Sequence, residues 1–256
     1  SVFGLEKPLQ APTTEAVSER PAAEPEVSEP EPPIAEAETS EIEPALPAEE
    51  KAVLTALRPK RERMRFAPLY PEIPAGQRHD FHIMDRELGV GSKAEKYASN
   101  VAAIRTLQAV ESENRLATPE EQETLSCYVG WGGLANAFSD KAAGWESEYQ
   151  ELKALLTEEE YKAAMRSTIT AYYTEPELIR YMYRALERFG FEGGPDRRIL
   201  DPGMGTGNFY SVLPEQYQGS KLYGVELDSI TGRIAKQLYP EADISVMGYE
   251  AVKFED

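Results

Sequence analysis

Residues 198–208 read Arg-Ile-Leu-Asp-Pro-Gly-Met-Gly-Thr-Gly-Asn, a short apolar run that ends at Asp201 and leads into three glycines. A run of this length bounded by glycines is typical of a buried strand. Two further strand-like runs follow at 221–226 and 243–247, and helical stretches at 208–213 and about 229–239 separate the three runs. This alternation predicts the first strands of a parallel, Rossmann-like α/β sheet.

The spacing of the glycines discriminates among the possible ligands of such a loop. A P-loop needs a lysine after its last glycine, and no lysine follows Gly207. A dinucleotide loop needs Gly-x-Gly-x-x-Gly, and Asn208 stands where the third glycine belongs. The pattern that is left, Asp-x-Gly-x-Gly-x-Gly, suits a ligand that carries an amino acid and a nucleoside but no pyrophosphate.

Acidic residues at predicted strand ends extend this interpretation. Asp201 is placed to meet a cationic amino group, and Glu226, 19 residues after Gly207, is placed to accept hydrogen bonds from ribose hydroxyls. Glu250, just after the third run, lies where a side chain can edge an adenine ring. The arrangement predicts a site for S-adenosylmethionine and no metal site.

Residues 93–170 show a helical period. One predicted helix face is formed by apolar residues at spacings of three and four: Tyr97, Val101, Ile104, Leu107 and Val110. Capping boxes begin at Thr118, for a helix that should end near Gly130, and at Thr157. The run Tyr128-Val-Gly-Trp-Gly-Gly133 has two interpretations, a contact with DNA or cofactor, or a helix end with a packed Trp131.

A further predicted helix opens at Thr174-Glu-Pro-Glu177 and stops at Gly190. Its apolar residues fall on or near one face: Ile179, Met182, Leu186 and Phe189. It leads into the strand that carries the glycine loop.

Composition and period divide the chain into four predicted segments. Residues 1–57 form an acidic, Pro- and Glu-rich linker, expected to be disordered because it has little apolar surface to bury. Residues 58–92 form a Pro-rich connector whose cations are either a phosphate-contacting strip or a solvated linker end: Arg58, Lys60, Arg61, Arg63 and Arg65. Residues 93–170 form a helical subdomain, and residues 171–256 form the first part of the sheet domain.

Charge and cysteine content limit the protein class. The net charge is −18, of which residues 1–50 contribute −11, so the rest of the chain carries only −7 and can still bind nucleic acid. A single cysteine, Cys127, excludes an intrachain disulfide framework. No apolar run approaches the roughly 20 residues of a membrane span, and no secretory signal begins the sequence, so we expect a cytoplasmic protein.

Four stretches together resemble adenine-specific DNA methyltransferases whose cofactor motif precedes the catalytic motif. More closely, they are similar to the methylase-like part of very large proteins of phages and conjugative elements, in which such a domain is joined to a superfamily-two helicase. The resemblance covers about residues 78–256. The stretches are Asp80-Phe-His-Ile, Thr118 to Gly133, Tyr172-Tyr-Thr-Glu-Pro176 and Ile199 to Phe209. The Trp-Gly-Gly and Tyr-Thr-x-Pro runs make the resemblance specific.

The resemblance implies roles for individual residues. Tyr173, Thr174 and Pro176 match the segment that packs over the methionine end of the cofactor. Glu226 matches the ribose ligand, and Glu250 lies near the adenine-contacting position, where many relatives have Asp. Tyr172 also departs from the pattern, since a His is expected there. The main cofactor loop corresponds to Asp201, Pro202, Gly203, Met204, Gly205, Thr206, Gly207, Asn208 and Phe209.

The resemblance also implies a catalytic motif that this sequence does not contain. These enzymes use an Asn/Asp/Ser-Pro-Pro-Tyr/Phe motif after the fourth strand to bind the target amino group and stack on the flipped base. The Pro-Pro pair here is Glu31-Pro-Pro-Ile34, in the predicted linker. We therefore expect no catalytic residue in this chain, and we expect the motif after Asp256 in a longer parent.

The favoured hypothesis is the cofactor-binding portion of an adenine-N6 DNA methyltransferase, with DNA and a helicase domain of the same parent as partners. The alternative is a non-catalytic, methyltransferase-like module that recruits DNA to a helicase. A small-molecule or protein methyltransferase is a third interpretation, because a cofactor site does not specify the substrate.

Overall fold

The computed structural model of the chain describes residues 62–63, 68–83, 91–171 and 173–253. The predicted disordered linker (1–57), most of the basic cluster and Tyr172 lie outside the described residues. Two short strands, β1 (Glu62–Arg63) and β5 (Val252–Lys253), pair in parallel.

The centre of the fold is a parallel sheet of three strands. Its order is β2 (Arg198–Asp201), β3 (Lys221–Glu226) and β4 (Asp243–Val246). The register pairs Asp201 with Gly224 and Glu226 with Val246. The first two strands confirm their predicted bounds, and the third ends one residue earlier than predicted. The chain is therefore a mixed α/β protein with a small parallel sheet.

Four helices lie between residues 93 and 167 of the described chain. They are α1 (Lys93–Ser112), α2 (Pro119–Ser126), α3 (Glu146–Leu155) and α4 (Glu158–Ser167). The predicted capping boxes at Thr118 and Thr157 are both present, and Ser92 forms a third at the start of α1. Helix α2 ends before the expected Gly130, because the side chain of Asn100 binds the backbone of residues 129 and 130.

Three helices connect or precede the strands, namely α5 (Pro176–Arg188), α6 (Asn208–Ser211) and α7 (Ser229–Leu238). Helix α6 is shorter than the predicted 208–213, and Pro214 disfavours helical backbone in the residue before it. Short 3-10 turns cover Ala75–Gln77, Ala135–Phe138, Glu215–Tyr217 and Tyr249–Ala251. No helix in the described ranges is both long and apolar enough to cross a bilayer.

The predicted face of α1 is buried at all five positions, and its residues join one hydrophobic cluster with residues of the sheet and of α7. A buried polar contact crosses the same interface. The Gln122 side-chain amide of α2 donates to the carbonyl of Gln237 in α7 at 2.8 Å. The side-chain oxygen of Gln237 in turn accepts the backbone N–H of Ala117 at 2.9 Å. The helices before the sheet thus pack directly on the helix between β3 and β4.

The connector residues 78–83 contact the carboxyl ends of α6 and α7. Backbone N–H groups of Phe81 and Ile83 donate to the carbonyls of Leu238 and Ser211, both at 2.8 Å, and both apolar side chains are buried. The Arg78 guanidinium donates to four backbone carbonyls, including Pro240 at 2.8 Å. This part of the connector is therefore packed structure.

The apolar face of α5 is only partly covered. Ile179 is fully buried, whereas Phe189 is 78% exposed and Met182 and Leu186 are also exposed. The spacing of these residues in the sequence predicts that they share one face of the helix. It does not predict how much of that face is buried against neighbouring elements.

Candidate functional site

A cleft of about 620 Å³ opens at the carboxyl ends of β2 and β3. Asp201 and Glu226, the last residues of those strands, both line it. Ligands of parallel α/β sheets commonly bind at this edge, where loops leave the strands. Other lining residues come from the chain before the sheet: Tyr128, Gly130, Ala163, Arg166, Ser167, Thr170, Ala171, Tyr173 and Thr174.

Two glycines of the loop are required by the fold itself. Gly205 and Gly207 have φ angles of +57° and +89°, in the left-handed region that favours glycine. A Cβ at Gly207 would also lie 2.3 Å from Cε2 of Tyr239. The loop is further held where the N–H of Met204 donates to the carbonyl of Val225 at 3.1 Å.

Gly203 differs from the other two loop glycines. Its φ is not in the left-handed region, and a Cβ built on it meets no atom within 4 Å. Gly203 nevertheless lines the cleft. The fold therefore tolerates a side chain at this position, and the space beside Gly203 belongs to the open cleft.

The Glu226 carboxylate joins the loop to the next helix. One oxygen accepts the N–H of Gly205 and the other accepts the N–H of Asp228, each at 2.8 Å. Burial raises the pKa of Glu226. Because each carboxylate oxygen can accept more than one hydrogen bond, the group retains capacity for ligand hydroxyls.

Asp201 lies at the equivalent end of the neighbouring strand. Its Oδ1 accepts the N–H of Gly203 at 3.2 Å, and burial raises the pKa of its carboxyl group. Asp228, also at the cleft, caps α7 by accepting from the N–H and hydroxyl of Thr231 at 2.8 and 2.7 Å. Three carboxylates thus face one cavity, which favours a ligand with positive charge.

Tyr173 connects the glycine loop to the Trp-Gly-Gly run. A Cβ at Gly205 would lie 2.7 Å from Cε1 of its ring, and a Cβ at Gly130 would lie 2.8 Å from Cε2. The two edges of the ring therefore contact two glycines that lack side chains. Burial raises the pKa of the Tyr173 hydroxyl, so this residue is neutral at physiological pH.

Trp131 is a core residue, as the second interpretation of its run predicted. It is 1% exposed and packs edge-on against Phe138, with ring centroids 5.1 Å apart. The neighbouring Gly132 contacts the backbone of Ala171, a residue that lines the cleft. A Cβ at Gly132 would lie 2.2 Å from the carbonyl oxygen of Ala171. The glycines of the run therefore allow the segment after α4 to pack closely against the run.

Most of the predicted cofactor residues come together in this cleft. Those that line it are Tyr173, Thr174, Asp201, Gly203, Met204, Gly205, Asn208, Phe209 and Glu226. Asn208 also donates from its side-chain amide to the carbonyl of Thr174 at 3.2 Å. Five predicted cofactor residues do not line the cleft: Pro176, Pro202, Thr206, Gly207 and Glu250. Of these, Pro176 and Thr206 are buried, and Glu250 is exposed.

Several lining residues were not predicted from the sequence. Asp228 and Thr231 form a recognisable helix cap, Asp-Ser-Ile-Thr, directly after β3, and this pattern could have identified them. Arg166 and Ser167 lie on α4, and nothing in their local sequence indicates a site. Their place in the cleft depends on how α4 packs.

The fold and cleft define a class, a mixed α/β protein with a cleft at the carboxyl edge of its small parallel sheet. No protein-family profile matches the chain, and no solved structure matches it. Among curated proteins, the chain is similar to "Defense against restriction protein B" of Escherichia phage P1, at 22% identity over 152 residues. The match covers 59% of this chain, and the chain spans only 5% of that protein's length.

Proposed function

We propose that the cleft binds S-adenosylmethionine. The observation that carries this proposal is the joining of three distant segments around one cavity. These are the glycine loop after Asp201, the Glu226 carboxylate bonded to it, and the Tyr173-Thr174 segment. Two of these segments, the glycine loop and the Tyr173-Thr174 segment, belong to the stretches that carry the resemblance to adenine-specific methyltransferases.

The charges of the cleft support this ligand over phosphate-bearing nucleotides. Asp201, Glu226 and Asp228 all line the cavity. A pyrophosphate would be repelled by these carboxylates, whereas the sulfonium and ammonium groups of S-adenosylmethionine would be attracted. In this proposal Glu226 accepts from the ribose hydroxyls, and Asp201 faces the amino group.

For the reaction, we propose the cofactor-binding portion of an adenine-N6 DNA methyltransferase within a larger methylase-helicase protein of a mobile element. The sequence resemblance supports this, and so does the match to a short part of a much longer phage protein. The bound cofactor would supply the methyl group. The residues of this chain bind the cofactor, orient it and hold the loop that surrounds it.

Calorimetric titration of the 256-residue chain with S-adenosylmethionine tests the site. Gly203→Ala adds a methyl group to the open cleft without strain, so we expect at least tenfold weaker binding and unchanged stability. Gly76→Ala is the matched control, because a Cβ there also meets no atom within 4 Å and Gly76 does not line the cleft. Absence of binding by the unaltered chain, or equal affinity of both variants, contradicts the proposal.

A non-catalytic module that recruits DNA to a helicase is the second candidate. It is favoured by the name of the similar phage protein, which describes defence against restriction. Incubating the larger protein with methyl-labelled S-adenosylmethionine and unmethylated DNA separates the two. Label in N6-methyladenine supports the enzyme, and cofactor binding without labelled DNA supports the recruiting module.

A further inference from the structure

Helix α4 presents one face to the cleft. Its lining residues Ala163, Arg166 and Ser167 are spaced by three and four positions, which places them on the same side of the helix. Arg166 is therefore on the side of α4 that lines the cavity. Its guanidinium is solvent-exposed, and it forms no hydrogen bond or ion pair with any of the described residues.

The position of α4 is determined by contacts at both of its ends. Near the start, Glu160 accepts a hydrogen bond from the Arg233 guanidinium of α7 at 2.6 Å. Beyond the end, the N–H of Gly133 donates to the carbonyl of Thr168 at 3.1 Å. Arg166 lies between these two anchors, so the backbone that carries it has a defined place relative to the sheet.

Arg166 also stands out by its charge. Among the described residues that line the cleft, three carry carboxylates and Arg166 alone is a cation. S-adenosylmethionine has two positive groups, which the carboxylates suit, and one α-carboxylate, which the same acids repel. A guanidinium fork matches a carboxylate through two parallel hydrogen bonds.

We propose that Arg166 binds the α-carboxylate of the methionine part of S-adenosylmethionine. This assignment rests on the proposed function and adds a residue from the helical segment to the cofactor site. Arg166 thereby makes the site selective for the intact amino acid over analogues that lack the carboxylate. It also gives α4 a direct part in ligand recognition.

The test compares two ligands and three variants by calorimetry of the 256-residue chain. The ligands are S-adenosylmethionine and decarboxylated S-adenosylmethionine, which differ only in the carboxylate. We expect Arg166→Gln to weaken binding of the first about tenfold and to leave the second unchanged or tighter. Arg166→Lys should recover part of the loss. Arg188→Gln is the matched control, since Arg188 is exposed on α5 and lies outside the cleft lining.

The comparison separates direct contact from a general effect of charge. If Arg166 acted only through its charge, its removal would strengthen binding of both ligands, because both are positively charged. Loss confined to S-adenosylmethionine therefore supports the assignment, and binding of the decarboxylated ligand shows that the variant cleft is folded. Equal effects on both ligands, or no effect on either, overturn it. If the unaltered chain binds neither ligand, the proposed function itself fails.

Discussion

The ring of Tyr173 contacts Gly205 so closely that a Cβ on the glycine would lie 2.7 Å from Cε1 of the tyrosine. The other edge of the ring faces Gly130 in the same manner, at 2.8 Å from Cε2. Both glycines have positive φ angles, +57° and +67°. The glycine loop and the Trp-Gly-Gly run therefore share one aromatic wall, although their sequences are far apart.

Gly205→Ala should destabilise the fold, whereas Gly203→Ala should not. Alanine at position 205 adopts left-handed backbone and meets the Tyr173 ring, a combined cost of about 2–4 kcal/mol. Urea unfolding of the two variants beside the unaltered chain measures the difference. Equal midpoints for the two variants would show that the loop relaxes freely away from Tyr173.

Glu226→Ala should lower both ligand affinity and stability. The sequence alone predicts about tenfold to hundredfold weaker binding of S-adenosylmethionine. The structure adds a second effect, because the N–H groups of Gly205 and Asp228 lose their shared acceptor. Calorimetry and urea unfolding measure the two effects. Glu250→Ala is the control, because Glu250 is exposed and lies outside the cleft lining. We expect it to change neither ligand affinity nor stability. A loss of affinity in this variant would show that Glu250 contacts the ligand after all.

Asn100→Ala should destabilise the wall that carries Gly130. The fully buried Asn100 amide donates to the carbonyl of Gly130 at 2.6 Å and accepts from the N–H of Val129 at 2.9 Å. Leaving both backbone groups without partners costs about 2–4 kcal/mol. Denaturant unfolding provides the measurement, and the exposed Asn136→Ala serves as the control. A loss below about 0.5 kcal/mol would mean that water replaces the amide without cost.

Arg233→Gln should cost more than the loss of an exposed ion pair. Arg233 pairs with Glu111 of α1 and Glu160 of α4, and all three side chains are partly buried. We expect a loss of about 1–3 kcal/mol in unfolding free energy. Lys162→Gln removes the exposed pair with Glu158 and should leave the unfolding free energy essentially unchanged, because solvent screens this pair. Similar costs for the two variants would contradict a role of Arg233 in joining α7 to α1 and α4.

Stability should fall as pH rises through the range in which Asp80 ionises. Burial raises the pKa of Asp80 from 3.8 to about 7, so the folded state binds its proton more tightly than the unfolded state. Between about pH 4 and pH 7 folding therefore loses free energy, by about 2–4 kcal/mol in total. Asp80→Asn keeps the oxygen that accepts the N–H of Glu241 and should be more stable at pH 8.

Unfolding curves at pH 4, 6 and 8 for the unaltered chain and for Asp80→Asn check this directly. Burial also raises the pKa of Asp243 to about 6, which adds a second contribution of the same sign. The Asn variant should therefore retain part of the pH dependence. A variant whose profile parallels that of the unaltered chain would show that Asp80 ionises without cost in the fold.

Local features of the fold were predictable from the sequence because they depend on neighbouring residues. The strands 198–201 and 221–226 follow from short apolar runs, and the starts of α2 and α4 follow from capping boxes that close within one turn. The ends were less predictable. Helix α2 stops early because Asn100, distant in sequence, binds the backbone beyond it.

About the site, the sequence by itself determined which residues end the two parallel strands, Asp201 and Glu226, because strand ends are set by local pattern. Only the tertiary structure decided that Tyr173 lies between Gly130 and Gly205, and that Arg166 faces the same cavity. These contacts depend on how whole helices pack on the sheet. Packing is governed by side-chain shape and burial over the entire core, which no local spacing in the sequence records.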